Sequence, residues 1–272
     1  MGHAVGSALG KAGFEVITCL ENRSDRTKGL AQKSNIRDLK TLEDLVQTAD
    51  LILSILVPSE AVKVAKQISG ALRTTGANVV FADCNAISPH TTYIIHDIIT
   101  DSKSQFIDAS IIGGPPSQTS TPRLYVSGDK SHLMTELNAP GIEIRHLGSK
   151  IGMASGMKMC YAAFTKGSSA LSIALLIVAQ SLGVLEPLKL EFNFSQTQNF
   201  QQVQSQIPSI PSKAFRWIGE MNEIADTFEK AGITPNFHKG SATIFSMIDD
   251  VFGTTAIAKD ASDLTFEEII SA

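Results

Sequence analysis

The strongest constraint on this chain is a change of rhythm partway along it. Up to about Ser149, short β-branched runs alternate with amphipathic segments; beyond it the β-type runs stop and long helical patterns continue to the end. Alternation of that kind builds a parallel sheet covered by helices, and the second pattern builds an all-helical unit. The reading is therefore α/β over residues 1–148 and all-α over 149–272. The runs Glu15–Cys19, Leu51–Leu56, Val79–Asp83, Phe106–Asp108, Arg123–Ser127 and Glu143–His146 are expected strands. Thr41 followed by Asp44, and Ser88 followed by Pro89, are expected helix starts, because Ser and Thr side chains accept from the first free N–H groups and proline fits the first turn. The glutamine-rich stretch before Pro208 and Pro211 reads as a helix that ends in a proline-marked loop.

Composition excludes several classes of function. The 23 basic and 27 acidic residues are dispersed and give a net charge of −4, so no basic block offers a nucleic-acid surface. Three cysteines, Cys19, Cys84 and Cys160, have no metal-ligand spacing and read as free, buried thiols in a reducing, cytoplasmic compartment, with no metal implied. Residues 167–185 are uncharged and approach bilayer length, but Ser168, Ser169, Ser172, Gln180 and Ser181 favour a helix buried in protein, and no membrane partner is expected.

Three motifs carry the chemistry: "MGHAVGSALGKAG", "FIDASIIGGPP" and "GMASGMKMCYAAFTKG". In this order and spacing they resemble the β-hydroxyacid dehydrogenase superfamily, which includes 6-phosphogluconate and 3-hydroxyisobutyrate dehydrogenases. The resemblance implies a dinucleotide-binding, Rossmann-type first domain and a helical second domain that serves substrate binding and homodimer formation, for which the apolar helix from Ala170 to Leu185 is the candidate face. Gly2 matches the third glycine of the family's phosphate loop, Asp108, Gly113 and Gly114 match its substrate loop, and Lys158 matches its catalytic lysine, six residues after Gly152. Ile112 and Ala162 stand where the family has a serine and an asparagine that contact substrate, and the C-terminal part is similar to a subgroup whose helical domain has no known function.

The complete phosphate loop has a strand and two further glycines ahead of Gly2. The expectation is that Met1 is an internal methionine of a Gly-x-Gly-x-Met-Gly loop, and that without the interior strand two neighbours lie unpaired, at about 1–3 kcal/mol for each buried backbone group. After the first run comes "LENRSDRT". Glu21 is placed to hold a ribose 2′-hydroxyl, whereas Arg23, Ser24 and Arg26 form a better cradle for a 2′-phosphate, so NADP is expected over NAD. Val57, Pro58, Asn85 and Ala86 end two further strands, at the edge where the nicotinamide half belongs.

Lys158 is the one charged residue between Lys150 and Lys166, so it either snorkels to water or is desolvated for proton transfer. Tyr161, Ala162 and Thr165 lie within about 60° of it on a helix, and Tyr161 or Thr165 is a candidate substrate contact. Arg216, Glu220 and Glu223 share another helix face, as a salt-bridged surface or an anion-binding wall, and His238 and Lys239 follow Pro235. The expected function is hydride transfer between NADP and a small hydroxy acid or its keto form, with Lys158 as acid/base. The alternative is a non-catalytic cofactor-binding or dimerising homologue. Imine reduction is a third use of the same fold, which the lysine disfavours.

Overall fold

A computed structural model describes residues 1–258 and 264–271. The chain divides into two compact units, Met1–Met159 and Cys160–Ala272. In the first, the order is α1 (Gly2–Lys11), β1 (Ile17–Cys19), α2 (Asp25–Lys33), β2 (Arg37–Leu39), α3 (Leu42–Thr48), β3 (Leu51–Ser54), α4 (Ala61–Thr75), β4 (Val80–Asp83), α5 (Pro89–Thr100), β5 (Gln105–Ile112), β6 (Arg123–Ser127) and β7 (Glu143–His146). The helix α6 (Met153–Ser181) runs from the first unit into the second, which adds α7 (Leu185–Ser195), α8 (Thr197–Gln206), α9 (Pro211–Lys230), α10 (Asn236–Ala258) and α11 (Phe266–Ser271). The division falls inside α6, and the sequence boundary at 148 falls just before that helix. The reason is local: β5 grips the first turns of α6, as described below.

The helix starts form as their sequences require. Thr41 accepts from Asp44 N at 3.0 Å and Ser88 from Thr91 N at 3.1 Å. The sheet of the first unit is in two pieces, β1–β2 and β3–β4–β5–β6–β7. All pairs are parallel except β5–β6, which is antiparallel with Asp108 opposite Ser127. That pair departs from a wholly parallel sheet because the link from Ile112 to Arg123 contains no helix to carry the chain back across. The strand β2 went unrecognised in the sequence: two of its three residues are exposed, and Arg-Asp-Leu has no β-branched side chain.

Two apolar clusters sandwich the larger sheet. One gathers Val5 and Leu9 of α1 with Ala82, Ile107 and Leu124; the other gathers Leu45, Ile68, Leu72 and Ile95 with Phe81 and Phe106. Strands covered on both faces read as continuous apolar runs, which is why β4 was found; β5 runs on to Ile112, four residues past the strand expected at Phe106–Asp108. Burial is uneven, however. From Phe106 to Ile112 every residue of β5 is buried, whereas no residue of β1 is, and only Ser54 of β3 is. Between β1 and β3 lies a cavity of about 770 Å³, lined by both strands along their length.

Within the second unit, α9 and α10 pack closely, with Trp217 and Phe245 ring centroids 5.1 Å apart. The helix α6 is two-faced. Ala170, Ile173, Leu176 and Ala179 are buried, while Phe164, Leu171, Val178 and Leu182 are open to solvent. By length and composition it is long and apolar enough to cross a bilayer. The cysteines are free, but only Cys84 is buried; Cys160 is exposed and Cys19 is half-exposed, because the one points off α6 and the other borders the cavity.

Candidate active site

The most completely determined corner of the first unit is where β5 meets the start of α6. Asp108 is 1% exposed. Its carboxylate accepts from the main-chain N–H groups of Gly152 at 2.9 Å, Ala154 at 3.0 Å and Ser155 at 3.2 Å, and from the Ser127 hydroxyl at 2.8 Å. These are the free donors of the helix start, so Asp108 is the cap of α6. Burial lifts its carboxyl above the ordinary value, and the Ser127, Ser155, Gly152 and Ala154 donors pull it back. The expectation that Asp108 contacts substrate is thereby corrected, since its oxygens are sealed and already engaged. Gly152 has φ +92°, a left-handed conformation that side chains rarely adopt, so the turn requires glycine, while a Cβ there would meet Pro89 and Tyr93 at an ordinary 3.4 Å. The Tyr93 hydroxyl donates to Ile151 O at 2.8 Å and ties α5 to the same turn.

One turn into α6, Lys158 donates from Nζ to Ile111 O at 2.8 Å. The same strand therefore caps the helix with one residue and catches the lysine with another, three positions on. Burial of the ammonium draws the Lys158 pKa from 10.5 to about 8, with no carboxylate bonded to it among the described residues. A lysine in that state holds or releases a proton near neutral pH. Gly113 and Gly114 follow Ile112 and are exposed, and Gly113 at φ +121° has Pro122 Cα 3.2 Å from the place a Cβ would take. Ile112 itself is 2% exposed, an apolar core residue in the family's serine position.

The expected cofactor residues gather at the carboxyl edge of the first unit's strands. The helix α1 starts at Gly2 with no side-chain cap, which leaves its first N–H groups for an anion. Arg23 lines the cavity with His3, which sequence reasoning missed. The His3 pKa is lowered, by burial first and then by nearby positive charge that includes Arg26. Ser24 caps α2, accepting from Thr27 N at 3.3 Å, and Glu21 and Arg26 are exposed beside it. Val57 and Pro58 follow β3, with Pro58 buried, and Ala86 follows β4. Asn85 departs from expectation. It is 2% exposed, accepts from Leu56 N and donates to Ser54 Oγ at 3.0 Å and Asp83 Oδ2 at 2.9 Å. Its side chain fastens the ends of β3 and β4 together and is not free to meet a nicotinamide.

The remaining candidates belong to the second unit. Tyr161 is exposed, and its carbonyl accepts the Thr165 hydroxyl at 3.2 Å, so Thr165 is occupied by its own helix; Ala162 is 1% exposed. The Glu220 carboxylate is paired with Lys166 of α6, whose ammonium also lies 5.5 Å from the Trp217 ring centre, so Glu220 ties helices together and is not a free substrate contact. Arg216 is exposed, 5.9 Å from the Phe215 ring centre. His238 is 6% exposed against Phe228, and burial lowers its pKa.

Comparison with known proteins fits this geometry. Residues 1–138 match the NAD binding domain of 6-phosphogluconate dehydrogenase, and residues 179–248 match a domain of unknown function. An uncharacterised 28.5 kDa protein of Methanothermus fervidus is 32% identical over 174 residues, 64% of this chain and 65% of that protein. The mitochondrial 3-hydroxyisobutyrate dehydrogenase of Drosophila melanogaster is 28% identical over 167 residues, 59% of this chain and 49% of that protein. The matched region thus spans less than two thirds of either relative. A solved structure of a conserved protein of unknown function, described as similar to 3-hydroxyacid dehydrogenases, superposes with a TM-score of 0.67 at 28% identity, covering 91% of this chain and 93% of that one. With half of its length matched, the chain belongs to the family defined by the NAD binding domain of 6-phosphogluconate dehydrogenase.

Proposed function

We propose that the protein is an NADP-dependent oxidoreductase that moves hydride between the nicotinamide and a small hydroxy acid or its keto form. The observation that carries the reading is Lys158: its ammonium is desolvated, held by Ile111 O and drawn to a pKa of about 8. The residues at the α1 corner fit a phosphorylated dinucleotide. The uncapped start of α1 at Gly2 suits the pyrophosphate, and Arg23, Arg26 and Ser24 suit a 2′-phosphate, with Glu21 the contact for a bare ribose. The bound cofactor supplies the hydride acceptor. In its neutral form the Lys158 amine takes the hydroxyl proton at Nζ as the carbon loses hydride, and its ammonium returns it in the reverse direction. Gly113 and Gly114, exposed after β5, offer main-chain donors to the substrate carboxylate, and Tyr161 is an exposed aromatic one turn after the lysine on its helix. The open face of α6, from Phe164 to Leu182, supports a homodimer through the helical unit.

The test is a panel of small hydroxy acids offered with NADP or NAD and followed by the absorbance of reduced nicotinamide. The expected result is one compound oxidised faster with NADP, and only while Lys158 is present. Undiminished turnover by Lys158→Met would overturn the assignment. A second reading, a non-catalytic homologue that binds cofactor or dimerises, draws on the sealed Ile112 and Ala162. Nucleotide binding with no turnover across the panel favours it.

A further inference from the structure

The grip of β5 on α6 includes one contact that the helix itself does not need. The strand β4 stops at Asp83, which pairs with Asp108, so residues 109–112 of β5 run on past it beside β6 alone. Alternation along the strand turns Asp108 and Ser110 to one face, and both meet the start of α6. Asp108 takes its free N–H groups, among them that of Ala154, which also bonds Ser127 Oγ at 3.1 Å. Ser110 takes the other end of the same residue. It is sealed from solvent, and its hydroxyl donates to Ala154 O at 2.8 Å.

Donors at a helix start are short of partners, but acceptors are not. In an α-helix the carbonyl of Ala154 already receives the N–H of the residue four places on, and that residue is Lys158. The Ser110 bond is therefore a second one on a satisfied oxygen, which a carbonyl's two lone pairs allow. A buried hydroxyl costs free energy to desolvate, and capping gives it no reason to be there. Its consequence is positional. Residues 154 and 158 lie one above the other on a helix face, and the strand residue next after Ser110, Ile111, gives the carbonyl that holds Lys158 Nζ at 2.8 Å. Two consecutive residues of β5 thus hold two successive levels of one helix face. The other ionisable groups of this corner are engaged elsewhere: Asp108 with the helix start, Asp83 of β4 with Asn85, and Tyr93 of α5 with Ile151 O. Burial is what loosens the lysine's hold on its proton.

We propose that Ser110 is the positioning residue for Lys158: by holding the Ala154 carbonyl it fixes the turn of α6 from which the lysine reaches Ile111 O, and it keeps water from taking that oxygen's place. The claim deepens the proposed function and rests on its reading of Lys158 as the acid/base. Without the hydroxyl the turn is free to draw back from β5, and the ammonium exchanges Ile111 O for water. Hydration favours the charged form, so the lysine then holds its proton more tightly and less of it is the neutral base at pH 7.

The experiment follows Lys158 itself. The full chain is isotope-labelled at lysine Cε, the Lys158 signal is identified by its loss in Lys158→Met, and its shift is read by NMR against pH. In the parent the midpoint is expected at about 8. Ser110→Ala should raise it by about one unit, and Ser110→Cys, whose thiol is a weak donor, by less. Ser69→Ala is the control. Ser69 is a buried serine of α4 whose hydroxyl donates to the Ile98 carbonyl of α5 at 3.0 Å, so the change removes the same kind of bond away from β5 and α6 and should leave the midpoint where it was. With a hydroxy acid that the parent oxidises, the pH profile of kcat for Ser110→Ala should move up by the same unit, about a tenfold loss at pH 7. An unmoved midpoint in Ser110→Ala, or an equal rise in Ser69→Ala, overturns the proposal; should Ser110→Ala not fold, an unmoved midpoint in Ser110→Cys does so. A parent midpoint near 10.5 overturns it together with the role of Lys158. A raised midpoint in Ser110→Ala beside a parent that oxidises none of the hydroxy acids upholds the positioning and overturns the activity, so the two readings fail separately.

Discussion

The two functional corners of the first unit are built to different degrees of completeness. At the β5–α6 corner the charged groups are engaged: Asp108 meets the helix start and Ser127, Lys158 meets Ile111 O, and Gly152 makes the turn between them. At the α1–β1–β3 corner, Arg23, His3 and the start of α1 border a cavity, and two strand edges face it. The contrast teaches that a site of this kind rests on two separable supports. The Lys158 ammonium, the proposed proton carrier, is fixed by contacts within one strand and one helix turn. The proposed nucleotide cradle is spread over the ends of α1, β1 and β3 around an open cavity.

The largest effect should come from the finished corner. Lys158→Met keeps the apolar stem and removes the proton carrier, so turnover on an oxidised hydroxy acid should fall by about 10²–10⁴-fold, the usual contribution of a positioned acid or base. Cofactor affinity should be unchanged, because the lysine lies at the other corner. Steady-state kinetics beside a nucleotide titration checks both. A joint loss of turnover and affinity would mean the corners are not separable.

Next comes Asp108→Ala, which strips the start of α6 of its buried anion and leaves the N–H groups of Gly152, Ala154 and Ser155 in the core. A stability loss of about 3 kcal/mol is expected, since the bonds are charge-assisted and the orphaned donors are buried. Urea unfolding measures it. A loss under about 1 kcal/mol, the scale of an exposed cap, would show that the corner tolerates water.

Asp108 also shows where legibility ended. The motif around it was visible, but its role was not, because the donors it serves come from a turn far along the chain and no periodicity links them. The Glu220–Lys166 pair escaped for the same reason: helical spacing put Glu220 on a face with Arg216 and could not say what opposed that face. What was legible was local or doubly buried. Thr41 and Ser88 cap as read, and Arg123–Ser127 and Glu143–His146 have the expected limits.

At the open corner, Arg23→Ala should weaken NADPH by ten- to a hundredfold and leave NADH nearly unchanged, since charge-assisted bonds to the 2′-phosphate contribute about 1.5–3 kcal/mol and NADH lacks that group. Fluorescence titration with both nucleotides is the measurement. Parallel weakening would move Arg23 from the 2′-phosphate to the pyrophosphate that both share.

The smallest effect sharpens the comparison most, because it reads the finished corner without substrate or cofactor. Lys158 titrates at about 8 in the folded chain, below its ordinary 10.5. Below pH 8 both folded and unfolded chains hold the proton, and the folded one bears the whole cost of a desolvated ammonium. Between about 8 and 10.5 the unfolded chain binds more protons, so stability rises with pH across that window. Above it both forms are neutral and the cost is gone. Lys158→Met has no proton to hold, so its stability relative to the parent should be highest near pH 7 and decline through the window. The shift from 10.5 to about 8, at about 1.4 kcal/mol per pKa unit, corresponds to about 3 kcal/mol, and the lost bond to Ile111 O returns about 1 kcal/mol, which leaves a net advantage on the order of 2 kcal/mol at pH 7. Denaturant unfolding of both proteins at pH 7, 9 and 10.5 gives the difference at each. The slope is decisive, since packing changes shift the two curves by a constant whereas the proton bends one against the other. A difference that stays flat from pH 7 to 10.5 would place the Lys158 ammonium in water, snorkelling past Ile111, and remove the physical basis for its role as a base.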